Sequence, residues 1–275
     1  MKLSNAFSTR TFNLVSHDLV VTEGTSKGNQ EKWKKDDYWI KRNFLGYEAL
    51  SEVIASILMS CIKGFDYVNY ERCKINYKGN LSDDVCFSRD FLNDSESLVT
   101  IGRLIKSTDI YFYNSLEDLP AFAKAKKVIE FVNRAIDFDI TEYLGKSIYL
   151  DSLILNEDRH LFNLALIKTS TGYRECPVFD NGLSFLSDLF EYPVSRNITN
   201  NILDCKARPF SKEFPKQVNI FNSLGVCPLE IRTSSFYRKI NKLVVSKSEE
   251  VYLERCLDVL DYTMNRLEGL SWIRY

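Results

Sequence analysis

Residues 151–167, "DSLILNEDRHLFNLALI", constrain this chain more than any other stretch. A frame of Leu, Ile, Phe and Ala encloses Asn156, Glu157, Asp158, Arg159, His160 and Asn163. A solvated helix face spreads polar residues at helical period and does not gather them between Leu155 and Leu164. A polar group buried without a partner costs roughly 2–7 kcal/mol. The cluster therefore needs partners from elsewhere in the fold, and clusters of this kind are where functional groups concentrate.

The chain around it can supply them. It has 275 residues, 45% hydrophobic and 13% aromatic, enough to bury the core of one large domain or of two lobes. The net charge of −1 provides no field for nucleic acid or an anionic membrane. Seven scattered cysteines with no C-x-x-C pair fit reduced, mostly buried thiols, not a disulfide framework or a zinc site. The most apolar window, "VIASILMSCI", is too short to span a bilayer, and the N-terminus has no apolar leader core. A cytoplasmic protein is expected.

Periodicity divides the chain unequally. Strands are expected at 13–21 and 37–44, separated by a turn-rich basic segment over 22–33. "YEALSEVIASILMSCIKG" has helical spacing and ends on Gly64, and "RCKINYKG" and "DVCFSRDF" read as further strands. Beyond these the pattern is helical at 98–106, 120–136, 140–155 and 248–268. A short strand pair, "LALIKT" and "CPVFD", follows the charged cluster. The fold class is α+β: a small β-rich lobe over 1–88, a mainly helical lobe over 89–275, and a hinge near Cys86 to Asp90.

Four features converge on phosphate chemistry. Gly24, Thr25, Ser26, Lys27 and Gly28 form a glycine-bearing turn after a strand, where backbone N–H groups can approach phosphates; a solvated β-turn is the alternative. Lys41 lies in the strand "WIKR", where alternation leaves its direction open. Glu48 and Glu52 share one helix face, and either can fix Lys41 as an ion pair or simply face water. Asp158 is followed five residues later by Asn163, and then by Asp180 in "VFDNG". Two carboxylates and an amide supply the oxygen ligands of a magnesium–phosphate site. Protein kinases show the same Asp-to-Asn interval in H-R-D-x-x-x-x-N, with a later Asp in D-F-G. Here Arg159 and His160 follow the Asp. The alternative is a helix capped by Asp158 and a tight turn at Asp180-Asn181-Gly182.

These segments resemble the HipA-like serine/threonine kinases, in particular their short, cell-translocating form. The resemblance covers most of residues 22–188 and rests on D-R-H-x-x-N followed by D-N-G; the first motif is also similar to phosphoinositide kinases of related fold. It implies a bilobal protein-kinase-like fold and transfer of a phosphoryl group from ATP, with Mg2+, to a protein hydroxyl. It implies Asp158 as catalytic base, and Asn163 and Asp180 as magnesium ligands. Lys41 would contact the α/β-phosphates with Glu52 as its partner, residues 24–30 would cover the phosphates, and backbone groups around Phe87 and Ser88 would meet the adenine. The glycine loop departs from the family: "TSKGNQEK" has one glycine, Glu31 in place of proline, and Lys27 among the phosphate donors. Some members phosphorylate this loop, which makes Thr25 and Ser26 candidates.

His160 is expected to brace its loop rather than move protons, while Arg159 either positions that loop or pairs with a phosphate. The partner expected is a protein substrate, with no nucleic acid and no membrane; an antitoxin partner is compatible with the family, but no residue indicates one. Delivery into another cell is equally compatible. Two other readings share the motifs: a lipid kinase, to whose headgroup Lys32, Lys34 and Lys35 would turn, and a silent nucleotide-binding module. In the C-terminal third, Phe190, Tyr192, Arg196, Arg208 and Phe210 either grip an acceptor or pack as an ordinary loop.

Overall fold

The computed structural model describes residues 10–20, 30–268 and 273–274. Its first sheet has five strands in the order β1-β4-β5-β3-β2. These are β1 (Thr11–Leu14), β2 (Lys32–Lys35), β3 (Tyr38–Arg42), β4 (Tyr70–Tyr77) and β5 (Asn80–Arg89). All pairs are antiparallel except β1 with β4. Alternation gives the sheet two different faces. Phe12, Trp33, Ile40, Cys73, Ile75, Val85 and Phe87 form a separate apolar cluster on one of them. The other face receives helix α1 (Glu48–Met59) through Ala49, Val53, Val68, Tyr70 and Cys86.

Eleven of the twelve α1 residues are buried. A helix buried nearly all round is covered on every side, its polar Glu48, Ser51, Glu52 and Ser56 included. Leu50, Ile54, Leu58 and Met59 accordingly belong to the main core, together with the helices that follow. Gly46, just before α1, lies where a Cβ would come 2.1 Å from the Ser187 carbonyl oxygen, so only glycine allows this approach.

The larger part is built on α2 (Ile101–Thr108), α3 (Ile110–Ser115), α4 (Ala121–Ile136), α5 (Thr141–Ile154), α6 (Ile198–Asp204), α7 (Phe214–Ser223), α8 (Thr233–Ile240) and α9 (Glu250–Glu268). Helix α5 runs through its core with eleven of fourteen residues buried, and ends at Leu155 in the left-handed conformation. Strands β6 (Ser97–Thr100), β7 (Ala165–Thr169) and β8 (Gly172–Glu175) form a second sheet, and β9 (Leu229–Glu230) pairs with β10 (Ile273–Arg274). Among the described residues no helix is long and apolar enough to cross a membrane.

Several elements differ from the sequence reading. The expected strand over 13–21 stops at Leu14, because the Asp18 carboxylate accepts the Val15 N–H and turns the chain. The basic segment before residue 33 runs into strand β2, anchored by fully buried Trp33. The helix expected over 98–106 begins at Ile101: Leu98, Val99 and Thr100 pair with Ile167, Leu166 and Ala165, and the Thr100 hydroxyl then caps α2. The partner of β7 is 172–175, not "CPVFD". Pro177 has no N–H to give a ladder, so 176–180 leaves the sheet.

Candidate active site

Lys41 faces α1, and its ammonium is buried between two carboxylates. Nζ donates to Glu52 Oε1 at 2.6 Å and to Asp180 Oδ1 at 2.7 Å. Burial alone would lower its pKa; Asp180 and Glu52 outweigh that and hold it well above the ordinary lysine value. Glu52 Oε2 accepts the Asn181 N–H at 2.9 Å, so one buried carboxylate joins strand β3, helix α1 and the chain after β8. Glu48 does a different job. Its oxygens accept the N–H groups of Phe44, Leu45 and Gly46 at 3.1, 2.6 and 3.0 Å, which fixes the turn leading into α1.

Asp180 sits at φ +59°, a left-handed conformation that aspartate tolerates better than most residues. Lys32 Nζ lies 3.9 Å from Asp180 Oδ2 and is the cross-strand partner of Lys41. Burial pushes the Asp180 carboxyl up, but Lys32 and Lys41 prevail and hold it well below the usual carboxylate range. The group is a fixed anion. Gly182 lets this turn approach α1: a Cβ there would stand 3.2 Å from the Glu48 Cβ.

Arg159, 1% exposed, accounts for the polar cluster in its apolar frame. Its Nε donates to Asp151 Oδ1 and Oδ2 at 3.1 and 3.0 Å. Nη1 donates to the carbonyls of Asn163 and Phe179 at 3.1 and 2.7 Å, and Nη2 to Asn181 Oδ1 at 2.6 Å. A buried charge needs partners of this kind, and Arg159 finds them on both functional segments. Asn156 links the same Asp151 to the Asp158 backbone: its Nδ2 donates to Asp151 Oδ1 at 3.0 Å, and its Oδ1 accepts the Asp158 N–H at 3.1 Å. His160 Nδ1 accepts the Phe162 N–H at 3.2 Å and braces the loop.

The donor set fits a hard cation. Asn163 Nδ2 donates to the Asp158 carbonyl at 2.9 Å, which turns its carboxamide oxygen away from these partners. With the anionic Asp180 it offers oxygen ligands and no thiolate or imidazole. Among the described residues no group of three or more His, Cys, Asp or Glu could hold a metal alone. Magnesium needs no such group: it binds through one or two side chains plus phosphates and water, and a carboxylate and an amide are the oxygen donors these residues would give it.

Of the other predicted residues, Gly24, Thr25, Ser26, Lys27 and Gly28 lie outside the described residues. Phe87 and Ser88 lie in the central strand, paired on one side with Ile40 and Trp39 and on the other with Glu71 and Tyr70. The Phe87 ring packs in the outer apolar cluster. The C-terminal residues divide: Tyr192 and Phe210 are buried, while Phe190 is 83% exposed. Arg208 reaches toward the site, with Nη1 3.9 Å from Asp158 Oδ1. The sequence reading missed Asp151, Asn156 and Asn181 as partners, and Lys32 as a residue of the site. The spacing of Asp151 and Arg159 across a helix end was the available signal.

Fold and site together define a bilobal, protein-kinase-like α+β architecture. The crystal structure of a Helicobacter pylori proinflammatory kinase, CtkA, has this fold: the TM-score is 0.63 at 16% identity, over 94% of this chain and 95% of that one. This agrees with the resemblance carried by the Asp158 and Asp180 motifs. No family model matches the chain, and neither does any curated protein.

Proposed function

We propose that this protein is an ATP- and Mg2+-dependent protein serine/threonine kinase. The observation that carries the reading is the contact of Lys41 with both Glu52 and Asp180, fastened through Arg159 to the loop of Asp158 and Asn163. Phosphoryl transfer asks a protein for positioning and charge more than for covalent chemistry. In this reading Lys41 and Lys32 meet phosphate oxygens, and Glu52 keeps the Lys41 ammonium aimed. Asn163 and Asp180 hold magnesium, which when bound offsets the charge of the β- and γ-phosphates. The acceptor hydroxyl oxygen bonds to the γ-phosphorus, the bond to the β-phosphate oxygen breaks, ADP leaves, and Asp158 takes the hydroxyl proton. The adenine would lie at the end of β5, beyond Phe87 and Ser88, whose backbone groups are paired on both sides within the sheet. Thr25 and Ser26 are the candidate self-acceptors.

The β2 lysines speak against the lipid-kinase reading. Lys34 Nζ pairs with Asp90 at 2.5 Å and Lys35 Nζ with Asp18 at 3.1 Å, while Lys32 turns to Asp180. A headgroup patch needs cations that face outward without partners. The test is ADP production over a magnesium titration, wild type beside Asp180→Ala. The reading expects metal-dependent turnover in the wild type and a loss of at least about 100-fold in the variant, the scale of removing one charge-stabilising group. Equal turnover would refute the metal assignment.

A further inference from the structure

A pocket of about 160 Å3 opens beside Asp158, lined among others by Tyr113, Glu117, Lys124, His160, Phe162 and Arg208. Two of its walls touch the proposed catalytic carboxylate: His160 Nε2 and Arg208 Nη1 both lie 3.9 Å from Asp158 Oδ1. The pocket is thus continuous with the place where an acceptor hydroxyl must arrive.

We propose that this pocket selects the acceptor: it takes a polypeptide segment that carries, close to the hydroxyl presented to Asp158, one apolar side chain and one acidic side chain. The proposal rests on the kinase reading and adds the class of substrate.

The apolar half is built from aromatic edges. Phe162 is 39% exposed, a large ring left at the mouth of a polar site. The Tyr113 and His160 rings stand edge-on to it, each with its centroid 6.1 Å away. Its own position depends on Gly102, where a Cβ would come within 2.8 Å of the ring. Leu116 and Leu161 are buried beneath. A side chain entering here gains apolar contact on several sides, which a flat surface does not give.

The polar half is cationic. Lys124, on α4, is half-buried, and burial lowers its pKa against the opposing pull of Glu117. Among the described residues it makes no ion pair, Glu117 included; a partly desolvated ammonium in that state favours an incoming carboxylate. Arg208, 48% exposed at its side chain, supplies a second cation on the Asp158 side. Asp158 already faces Arg208, and Glu117, the carboxylate in the lining, is exposed to water while Lys124 is half-buried, so the least solvated charge an incoming side chain meets is the Lys124 cation.

The test uses the full chain with γ-labelled ATP, Mg2+ and a degenerate Ser/Thr peptide library fixed at one position at a time. Wild type is compared with Lys124→Glu and Phe162→Ala. The wild type is expected to favour acidic over basic peptides by about tenfold, the worth of one well-placed charge pair. Lys124→Glu is expected to invert that ratio, and Phe162→Ala to erase the apolar preference. A ratio between peptides does not depend on how much of a variant folds, so a merely structural role would leave it unmoved. Label entering the library without preference, or with the same ratio in Lys124→Glu, overturns the pocket while the kinase reading stands. No label in any peptide overturns the kinase reading, and the pocket with it.

Discussion

Arg159 holds Asn181 through a single guanidinium nitrogen, Nη2 to Oδ1 at 2.6 Å, while its Nε stays on Asp151. One side chain thereby ties the segment of Asp158 and Asn163 to the segment of Asp180, across the β7–β8 hairpin that separates them in sequence. Arg159 is structural, and the proposed mechanism uses Asp158 and Asp180, which lie outside its pair with Asp151.

Arg159→Leu is predicted to lower stability by about 3–5 kcal/mol, because it strands the Asp151 carboxylate in the core. Chemical denaturation measures this. The double variant Arg159→Leu/Asp151→Leu should regain part of the loss, since no unpaired charge remains. A single variant as stable as the wild type would mean that this pair does not hold the loops.

Close backbone approach sets the second prediction. Gly46→Ala places a methyl 2.1 Å from a carbonyl oxygen, and Gly182→Ala places one 3.2 Å from the Glu48 Cβ. The first must move backbone and should cost more than the second, for which overpacking of about 1–3 kcal/mol is expected. Thermal melts of the two variants order them, and the reverse order would contradict the placement of α1.

Lys32 provides a test that separates binding from folding. Lys32→Ala should raise KM for ATP about tenfold, the equivalent of one phosphate contact at about 1.4 kcal/mol. Because Lys32 also helps hold Asp180 as an anion, the melting temperature should fall in the variant, so KM is read at a temperature where both proteins stay folded. An unchanged KM would remove Lys32 from the site.

Much of this site was legible because it is local in sequence. Asp158, Asn163 and Asp180 stand at fixed intervals on one stretch of chain, and a linear motif preserves such intervals. Lys41 was legible only as a residue: the face it takes depends on Ile40 packing with Phe87 and Trp33 on the opposite side, a fact of the sheet. Lys32 was lost for a similar reason. Lys32, Lys34 and Lys35 read as a basic cluster suited to a headgroup, and only fully buried Trp33 shows the segment to be a strand with Lys32 turned to Asp180. At 98–106, Leu98 and Ile101 fit helical spacing as well as strand alternation, and only pairing with β7 decides between them. Asp151 had no partner legible in the sequence, because Arg159 lies beyond the helix end.

Asp180 predicts a pH dependence. Its pKa is lowered on folding, so the stability it provides is fully present above the unfolded aspartate value of about 3.9 and drains away as pH falls toward the native value. Below about pH 4 the unfolded chain takes up a proton that the native state refuses. Asp180→Asn removes that proton from the balance, and its acid limb should be shallower by about 1.4 kcal/mol per pH unit. Denaturation midpoints collected from pH 5 downward give the slopes. Parallel limbs would mean that Asp180 is not the fixed anion described.

Incubation with γ-labelled ATP and Mg2+, with and without a cell extract, tests the central claim most directly when wild type and Asp158→Ala are run side by side. The account predicts label in protein, on serine or threonine, for the wild type, and its loss in the variant. Label entering lipid alone, or equal labelling by Asp158→Ala, would contradict it.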